Sequence, residues 1–452
     1  MGKLEERVIS VNRILLKLRV LKSFVQTKFR KFKSRPDIEL WQNRQFNKLK
    51  KSALTHSAYY SDYTHRPLNE WPIINKRIHL ENFNQINTRN LELDEVLRIA
   101  EKSEVDREFS PKYNGVSVGL SSGTSGNRGV FVTSDKERAV WAGSILARLL
   151  PDFRPQKIAF FLRANNNLYE TVKSRYIRFE FFDLMQPMDR HIKRLVKYNP
   201  TILIAPAQVL VVLARYWAAG MEIMPRKIIS VAEVLTEDDK TLIEGVFKQR
   251  VHQIYQCTEG FLAHTCSEGE LHLNEDTVLF EKEWINQRRG IFIPVVTDLK
   301  RQSQPVIRYR LDDVLVENFV PCPCGSPMTR LKKIMGRFDD VLFFKSVNES
   351  EKIQALFPDF ICRVISGADR KIQRFKVMQK SADEILVELD DAGIACKAVV
   401  EKALVGMFER HKLKEPGIKF SAFEQSPLSV KCRRVVREWA FSDEYAQVCE
   451  EE

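Results

Sequence analysis

Two stretches of the sequence bring together residue types that do chemistry. Residues 120 to 129 read Leu-Ser-Ser-Gly-Thr-Ser-Gly-Asn-Arg-Gly, with three glycines and four hydroxyl side chains. Glycine lets backbone amides point inward, and hydroxyls beside them suit the oxygens of a polyphosphate. A Gly/Ser-rich hairpin connection would look the same, and without a Gly-Lys-Ser/Thr ending the loop is not of the Walker type. Pro321-Cys322-Pro323-Cys324-Gly325 is a tight thiolate pair, because Pro and Gly favour a sharp turn that points both sulfurs one way. Cys266 and His272 would complete a Cys3His tetrahedron, with His264 as an alternate ligand. The spacing is not that of a standard finger, so four reduced side chains without metal are the competing reading.

These residues need a frame. From about Gly115 short apolar runs alternate with amphipathic stretches. Strands are expected at Gly115 to Leu120, Val130 to Val132, Lys157 to Leu162, Thr201 to Ala205, Lys227 to Val231 and Val251 to Tyr255. One helix opens at Ser134, where Glu137 three residues on makes a capping box; another ends at Gly220 and a third opens at Thr236. This alternation indicates a large α/β domain with mixed, largely parallel sheets over residues 37–338. After about residue 340 the order becomes strand (Gln373 to Gln379), strand (Glu384 to Leu389), long helix (Ile394 to His411) and strand (Gly417 to Ala422). That is a small α+β domain over residues 339–452.

The composition, 44% apolar and 29% charged over 452 residues, excludes a disordered chain. Residues 1–36 carry eleven Lys or Arg against two Glu, so +9 of the net +13 sits in this arm and the remainder holds only +4. That distribution argues against nucleic-acid binding by the body of the protein. Val8, Val11, Leu15, Leu18, Val25, Phe29 and Phe32 recur at helical spacing, broken only by Lys22, which predicts a basic amphipathic helix ended by Pro36. Its apolar stripe is expected to pack on the rest of the protein with the charges solvated; peripheral contact with a membrane surface through residues 8–33 is the alternative. No apolar run is long enough to span a bilayer and no signal peptide is visible, so a cytoplasmic location is expected, with the inner membrane surface as the peripheral site. Eight cysteines are too sparse for a disulfide scaffold.

Five segments together carry a resemblance. Ser121-Ser122-Gly123-Thr124-Ser125-Gly126 resembles the Ser-Ser-Gly-Thr-Thr-Gly signature of adenylate-forming (ANL) enzymes. Tyr255-Gln256-Cys257-Thr258-Glu259 is similar to their Tyr-Gly-x-Ser/Thr-Glu motif, and Pro305 to Asp313 to their Tyr-Arg-x-x-Asp motif. Gly336 to Asp340 resembles the hinge motif and Val430 to Val435 the C-terminal lysine motif. The segments follow in the superfamily's order from 121 to 435. Pro72 to Lys76 with Asn82-Phe83 is similar to the N-terminal region of phenylacetate-coenzyme A ligases and of deazaflavin-coenzyme adenylating synthetases.

The resemblance implies an ATP- and Mg2+-dependent ligase that turns a small-molecule carboxylic acid into acyl-AMP, releases pyrophosphate and passes the acyl group to a thiol such as coenzyme A. Ser121, Ser122, Gly123, Thr124, Ser125 and Gly126 would hold the phosphates, and Glu259 would ligate Mg2+, with Thr258 beside it. Ala232 and Glu233 would line the adenine pocket and Tyr255 would stack on the base. Asp313 would accept hydrogen bonds from both ribose hydroxyls, supported by Arg337. Lys431 would act on the α-phosphate and the substrate carboxylate, and Asp339 would be the pivot of the small domain. Some relatives carry a structural zinc in the region of Cys266, His272, Cys322 and Cys324. Three departures stand out: Asn127-Arg128 in place of the loop lysine, Ser346 where relatives have Gly before Val-Asn, and Val430 where many have Gly. They leave open AMP transfer to a hydroxyl, acyl transfer to an acyl carrier protein, or a non-catalytic membrane-surface scaffold on a degenerate adenylation fold.

Overall fold

The computed structural model describes residues 2–108, 111–121, 128–163, 171, 173–348, 353–369, 371–372, 374–424, 427 and 433–439. The chain divides into two compact units, one of residues 1–281, 295–311 and 318–331, the other of residues 282–294, 312–317 and 332–452.

In the first unit five strands pair in parallel, in the order Ile177–Asp183, Gln156–Leu162, Ile202–Ala205, Lys227–Ser230 and Val251–Cys257. Their sequences are short apolar runs because helices cover both faces; each position of Ile202–Ala205 is buried. Gly260–Thr265 and Leu271–Leu273 then continue antiparallel, and Leu271 and His272 pair with Leu331 and Arg330. A separate antiparallel sheet holds Lys112–Tyr113, Val116–Leu120 and Val130–Ser134. The helix Asp135–Leu149 starts at the expected capping box: the Ser134 hydroxyl accepts from Glu137 N–H, and the Ser134 N–H donates to Glu137 Oε2 at 2.7 Å. The Thr236 hydroxyl caps Glu237–Phe247 by accepting from Asp239 N–H at 3.2 Å.

The N-terminal helix Gly2–Phe29 lies on Asp135–Leu149. Ser23 Oγ donates to Val140 O at 2.6 Å and lies 3.3 Å from Ser144 Oγ, and Thr27 Oγ1 is equally close to Ser144. Val20 and Phe24 add apolar contact. The helix therefore packs, but not through the stripe expected from spacing: Leu15, Leu18, Val25 and Phe29 are exposed and Phe32 turns to Trp41. The reason is close backbone approach. A Cβ built on Gly143 would lie 2.4 Å from Val20 O and 2.7 Å from Phe24 N, so small polar residues, not bulky apolar ones, fit this contact. Pro36 also differs from expectation, standing in the first turn of the next helix, Arg35–Ser52.

In the second unit, Ile293, Val314, Val316 and Met335 form one small core. A four-stranded sheet follows in the order Gly417–Ala422, Glu384–Leu389, Phe375–Ser381, Val435–Arg437, covered by the helices Pro358–Ala368 and Lys397–Arg410. The single long helix expected over 394–411 is two, Asp391–Ala395 and Lys397–Arg410, separated at Cys396. Gln379, fully buried, exchanges two hydrogen bonds with the Phe343 backbone at 3.0 and 2.6 Å, joining this sheet to the Leu342–Lys345 strand.

Candidate functional sites

Parallel strands present their following loops along one sheet edge, the usual place for a ligand in an α/β sheet. Ser230 pairs in register with Gln253, so the turns after these neighbouring strands, Ala232-Glu233 and Thr258-Glu259, leave the same edge. Ala232 adopts φ +67°, a left-handed conformation costly for a residue with a Cβ. Glu233 accepts from Gln208 N–H at 3.1 Å and Gln208 Nε2 at 2.7 Å, so its carboxylate caps the Ala207–Ala218 helix. Tyr255 is buried within its strand.

Thr258 and Glu259 line a cavity together with Lys76, His79, Arg301 and Tyr309, beside Gly129 at the end of the Gly/Ser loop. Thr258 Oγ1 donates to Glu259 Oε2 at 2.8 Å. Arg301 donates to the Thr258 carbonyl and, at 2.8 Å, to Gln304 Oε1, which fixes the turn carrying Glu259. His79 has its ring nitrogen Nε2 buried with no hydrogen-bond partner. Burial, then the positive charge of Arg301, push its pKa down to about 4; Glu259 and a bond to the Pro305 backbone oppose this only in part. The imidazole is therefore neutral at pH 7, with a buried ring nitrogen that makes no hydrogen bond.

The rim of the loop is pinned. Ser121 N–H donates to Gly129 O at 2.7 Å, and Ser121 Oγ accepts from Gly129 N–H at 2.8 Å. Arg128 donates to Ser121 O at 3.0 Å and to Glu104 Oε1 at 2.5 Å. Ser121 thus closes the loop, and Arg128 is engaged in an ion pair. Lys76 approaches instead: a Cβ on Gly129 would lie 3.6 Å from its Cε. Ser122, Gly123, Thr124, Ser125, Gly126 and Lys431 lie outside the described residues.

Asp313 and Arg337 are in the second unit. Arg337 pairs with Asp312 at 3.1 Å, and although burial opposes its charge, Asp312 and then Asp313 raise its pKa. Asp339 occupies the short 3-10 turn Phe338–Asp340 next to Asp340, which bonds Arg433.

The cysteine cluster is assembled within the first unit. Ligand atoms of Cys266, His272, Cys322 and Cys324 all lie within 4.8 Å of one another. Cys266 and Cys322 sulfurs are 3.8 Å apart, and Cys324 Sγ is 3.6 Å from His272 Nε2. His272 Nδ1 is 3.1 Å from Met328 O, so Nδ1 carries the proton and Nε2 is left as the donor atom. Three sulfurs and one imidazole nitrogen converging on one point are a donor set suited to Zn2+. His264 is not part of it; it is buried against Asn274 Oδ1 at 2.6 Å, and burial followed by the charge of Arg148 drives its pKa to about 3.

Lys76, His79, Arg301 and Gln304 were not singled out from the sequence as site residues. Only Lys76 lay in a recognised segment, and the others are single residues with no local pattern.

No family model matches the sequence, and a search of the curated proteins finds no match. Solved structures do match. 2-Hydroxyisobutyryl-CoA ligase in the postadenylation state with 2-HIB-AMP aligns over 92% of this chain and 92% of that chain, with TM-score 0.65 and 16% identity. ATP-bound MatB from Rhodopseudomonas palustris covers 71% of this chain and 66% of its own at TM-score 0.51 and 15% identity. Amide bond synthetase McbA from Marinactinospora thermotolerans covers 71% and 68% at TM-score 0.51 and 12% identity. At these identities the likeness establishes the fold: a large mixed α/β sheet with a parallel core and a small C-terminal sheet domain.

Proposed function

We propose that the protein is an ATP-dependent adenylating ligase that activates a small carboxylic acid and transfers the acyl group to a thiol. One observation carries the reading: in a chain with this fold, the Glu259 carboxylate shares a cavity with the cationic chains of Lys76 and Arg301 beside the end of the Gly/Ser loop. In the first step a carboxylate oxygen attacks the α-phosphorus of ATP, the bond to the β-phosphate oxygen breaks, and pyrophosphate departs. In the second a thiol attacks the acyl carbon, loses its proton, and AMP leaves. The enzyme's contribution is positioning and neutralisation of developing charge. Glu259 would hold Mg2+, a hard ion matched to carboxylate oxygen, and its charge would offset that of pyrophosphate. Lys76 would take the place of the loop lysine, since Arg128 is committed to Glu104. The loop Ser122 to Gly126 would cradle the phosphates, Ala232, Glu233 and Tyr255 would border the base, and Asp313 with Arg337 would bind the ribose. Asp339 would act as the pivot.

The Cys266, His272, Cys322 and Cys324 set would hold a structural Zn2+, since four protein donors leave no open position.

A second reading concerns the acceptor. Ser346, where relatives have Gly, is buried, and its hydroxyl accepts from Asn348 N–H at 3.3 Å. A side chain at this point favours an acceptor other than coenzyme A, such as a hydroxyl or an acyl carrier protein.

A panel of carboxylic acids assayed for acid-dependent exchange of pyrophosphate into ATP tests the first step. Exchange with at least one acid is expected. Lys431→Ala should abolish it while ATP binding stays nearly intact, because a lysine acting on charge that develops during transfer contributes little to the ground state. An unchanged rate in that variant removes Lys431 from the site, and no exchange with any acid supports the scaffold.

A further inference from the structure

The N-terminal helix uses only one of its faces against the protein. At about 100° per residue, Ile14, Leu18, Leu21, Val25 and Phe29 project within an arc of roughly 80°, opposite the side that seats Val20, Ser23 and Thr27. These five apolar side chains are between 44% and 66% exposed. Lys17 and Lys28 border the stripe on one side and Lys22 and Arg19 on the other, all four exposed. No Asp or Glu occurs between Glu6 and Asp37.

We propose that this face docks on a lipid bilayer carrying anionic headgroups, with the stripe entering the headgroup boundary and the basic borders meeting the phosphates. A narrow apolar line with cations along both edges fits a plane that is apolar within and negative at its surface. A second copy fits poorly, because it would bring an equally cationic face against this one. A protein partner fits less well than lipid, because lysine is depleted from the cores of protein interfaces. Contact is at the surface: among the described residues no helix is long and apolar enough to cross a membrane. The opposite face is already fixed by Ser23 and Thr27 on the Asp135–Leu149 helix, so little ordering remains to oppose binding. The docking surface is independent of the ligase reading.

The test is sedimentation of the full chain with vesicles of phosphatidylcholine alone and with an equimolar mixture of phosphatidylcholine and phosphatidylglycerol. Binding to the mixed vesicles only, weakening with salt, is expected. The variant L18S/L21S/V25S should bind at least tenfold more weakly with an unchanged melting temperature, because these side chains are already in water. Replacing Lys17, Lys22 and Lys28 by Gln should weaken binding roughly fivefold per side chain. Failure of the wild type to sediment with the mixed vesicles overturns the proposal, as does wild-type affinity in the serine variant. Self-association in sedimentation velocity that the serine variant abolishes would assign the face to a second copy and equally overturn it.

Discussion

His79 and His264 are held neutral by burial, with pKa values near 4 and 3 against an ordinary 6.5. An unfolded chain protonates these imidazoles near 6.5, whereas the folded chain resists until much lower pH. Between those values the unfolded state binds more protons, so the stability they contribute is complete above about pH 6.5 and is lost as pH falls through 4. A shift of this size at His79 corresponds to about 3 kcal/mol at the acid end. Urea midpoints should therefore fall from pH 6.5 to 4, a window above that in which most carboxylates titrate. His79→Gln and His264→Gln should each flatten the slope; an unaltered slope in both would place the acid sensitivity elsewhere. At this scale the sequence exposes contiguous motifs and, through shared ligand chemistry, Cys266 and His272, which fold beside Cys322 and Cys324. Thr258-Glu259 stands in one motif, and Cys322 and Cys324 announce themselves by spacing. His79 and Arg301 come from segments 222 positions apart, and only folding brings them to the same cavity.

Helices and strands show where periodicity suffices and where it does not. The runs 157–162, 201–205 and 227–231 read as strands because a parallel core buries both faces. Ile177–Asp183 alternates apolar and charged residues, Ile177-Arg178-Phe179-Glu180-Phe181, and forms the outer strand of the parallel set. In the N-terminal helix the spacing identified a helix correctly and its buried face wrongly, because backbone contact, not apolar bulk, decides that interface. Gly143 is the key to it. In a helix interior Ala is normally better than Gly by about 1 kcal/mol, yet a Cβ here would strike backbone atoms of Val20 and Phe24. Gly143→Ala should therefore cost about 1–3 kcal/mol as overpacking does, and trypsin should cut the arm faster at its exposed lysines. Unchanged melting and digestion would mean that the arm is not seated over Gly143.

At the scale of the whole chain, segments distant in sequence are fastened to one another by buried charge and by the cysteine cluster. The arm and the following helix converge on one buried acidic turn: Arg148 meets Asp276 at 2.5 Å, Arg30 meets it at 3.5 Å while lying over Trp41, and Arg35 pairs with Glu275. Burial opposes ionisation of Asp276, but Arg148 and Arg30 outweigh it and hold its pKa below the ordinary value. The cysteine cluster is the second fastening. It joins the turn around Cys266 to Cys322 and Cys324 more than fifty positions later, closing a loop whose ends carry few apolar contacts of their own: Phe319 and Val320 are exposed. Closing a loop of this length in the unfolded chain is costly, and a metal that binds only the closed form returns its binding free energy as stability. Protein purified without chelator should contain about one zinc per chain. Cys322→Ser with Cys324→Ser should remove the metal and lower the melting temperature, and a strong chelator should do the same to the wild type but not to the variant. A wild type that contains no metal, or whose melting is indifferent to the chelator, would leave the four side chains as reduced thiols and an imidazole held together by the fold alone.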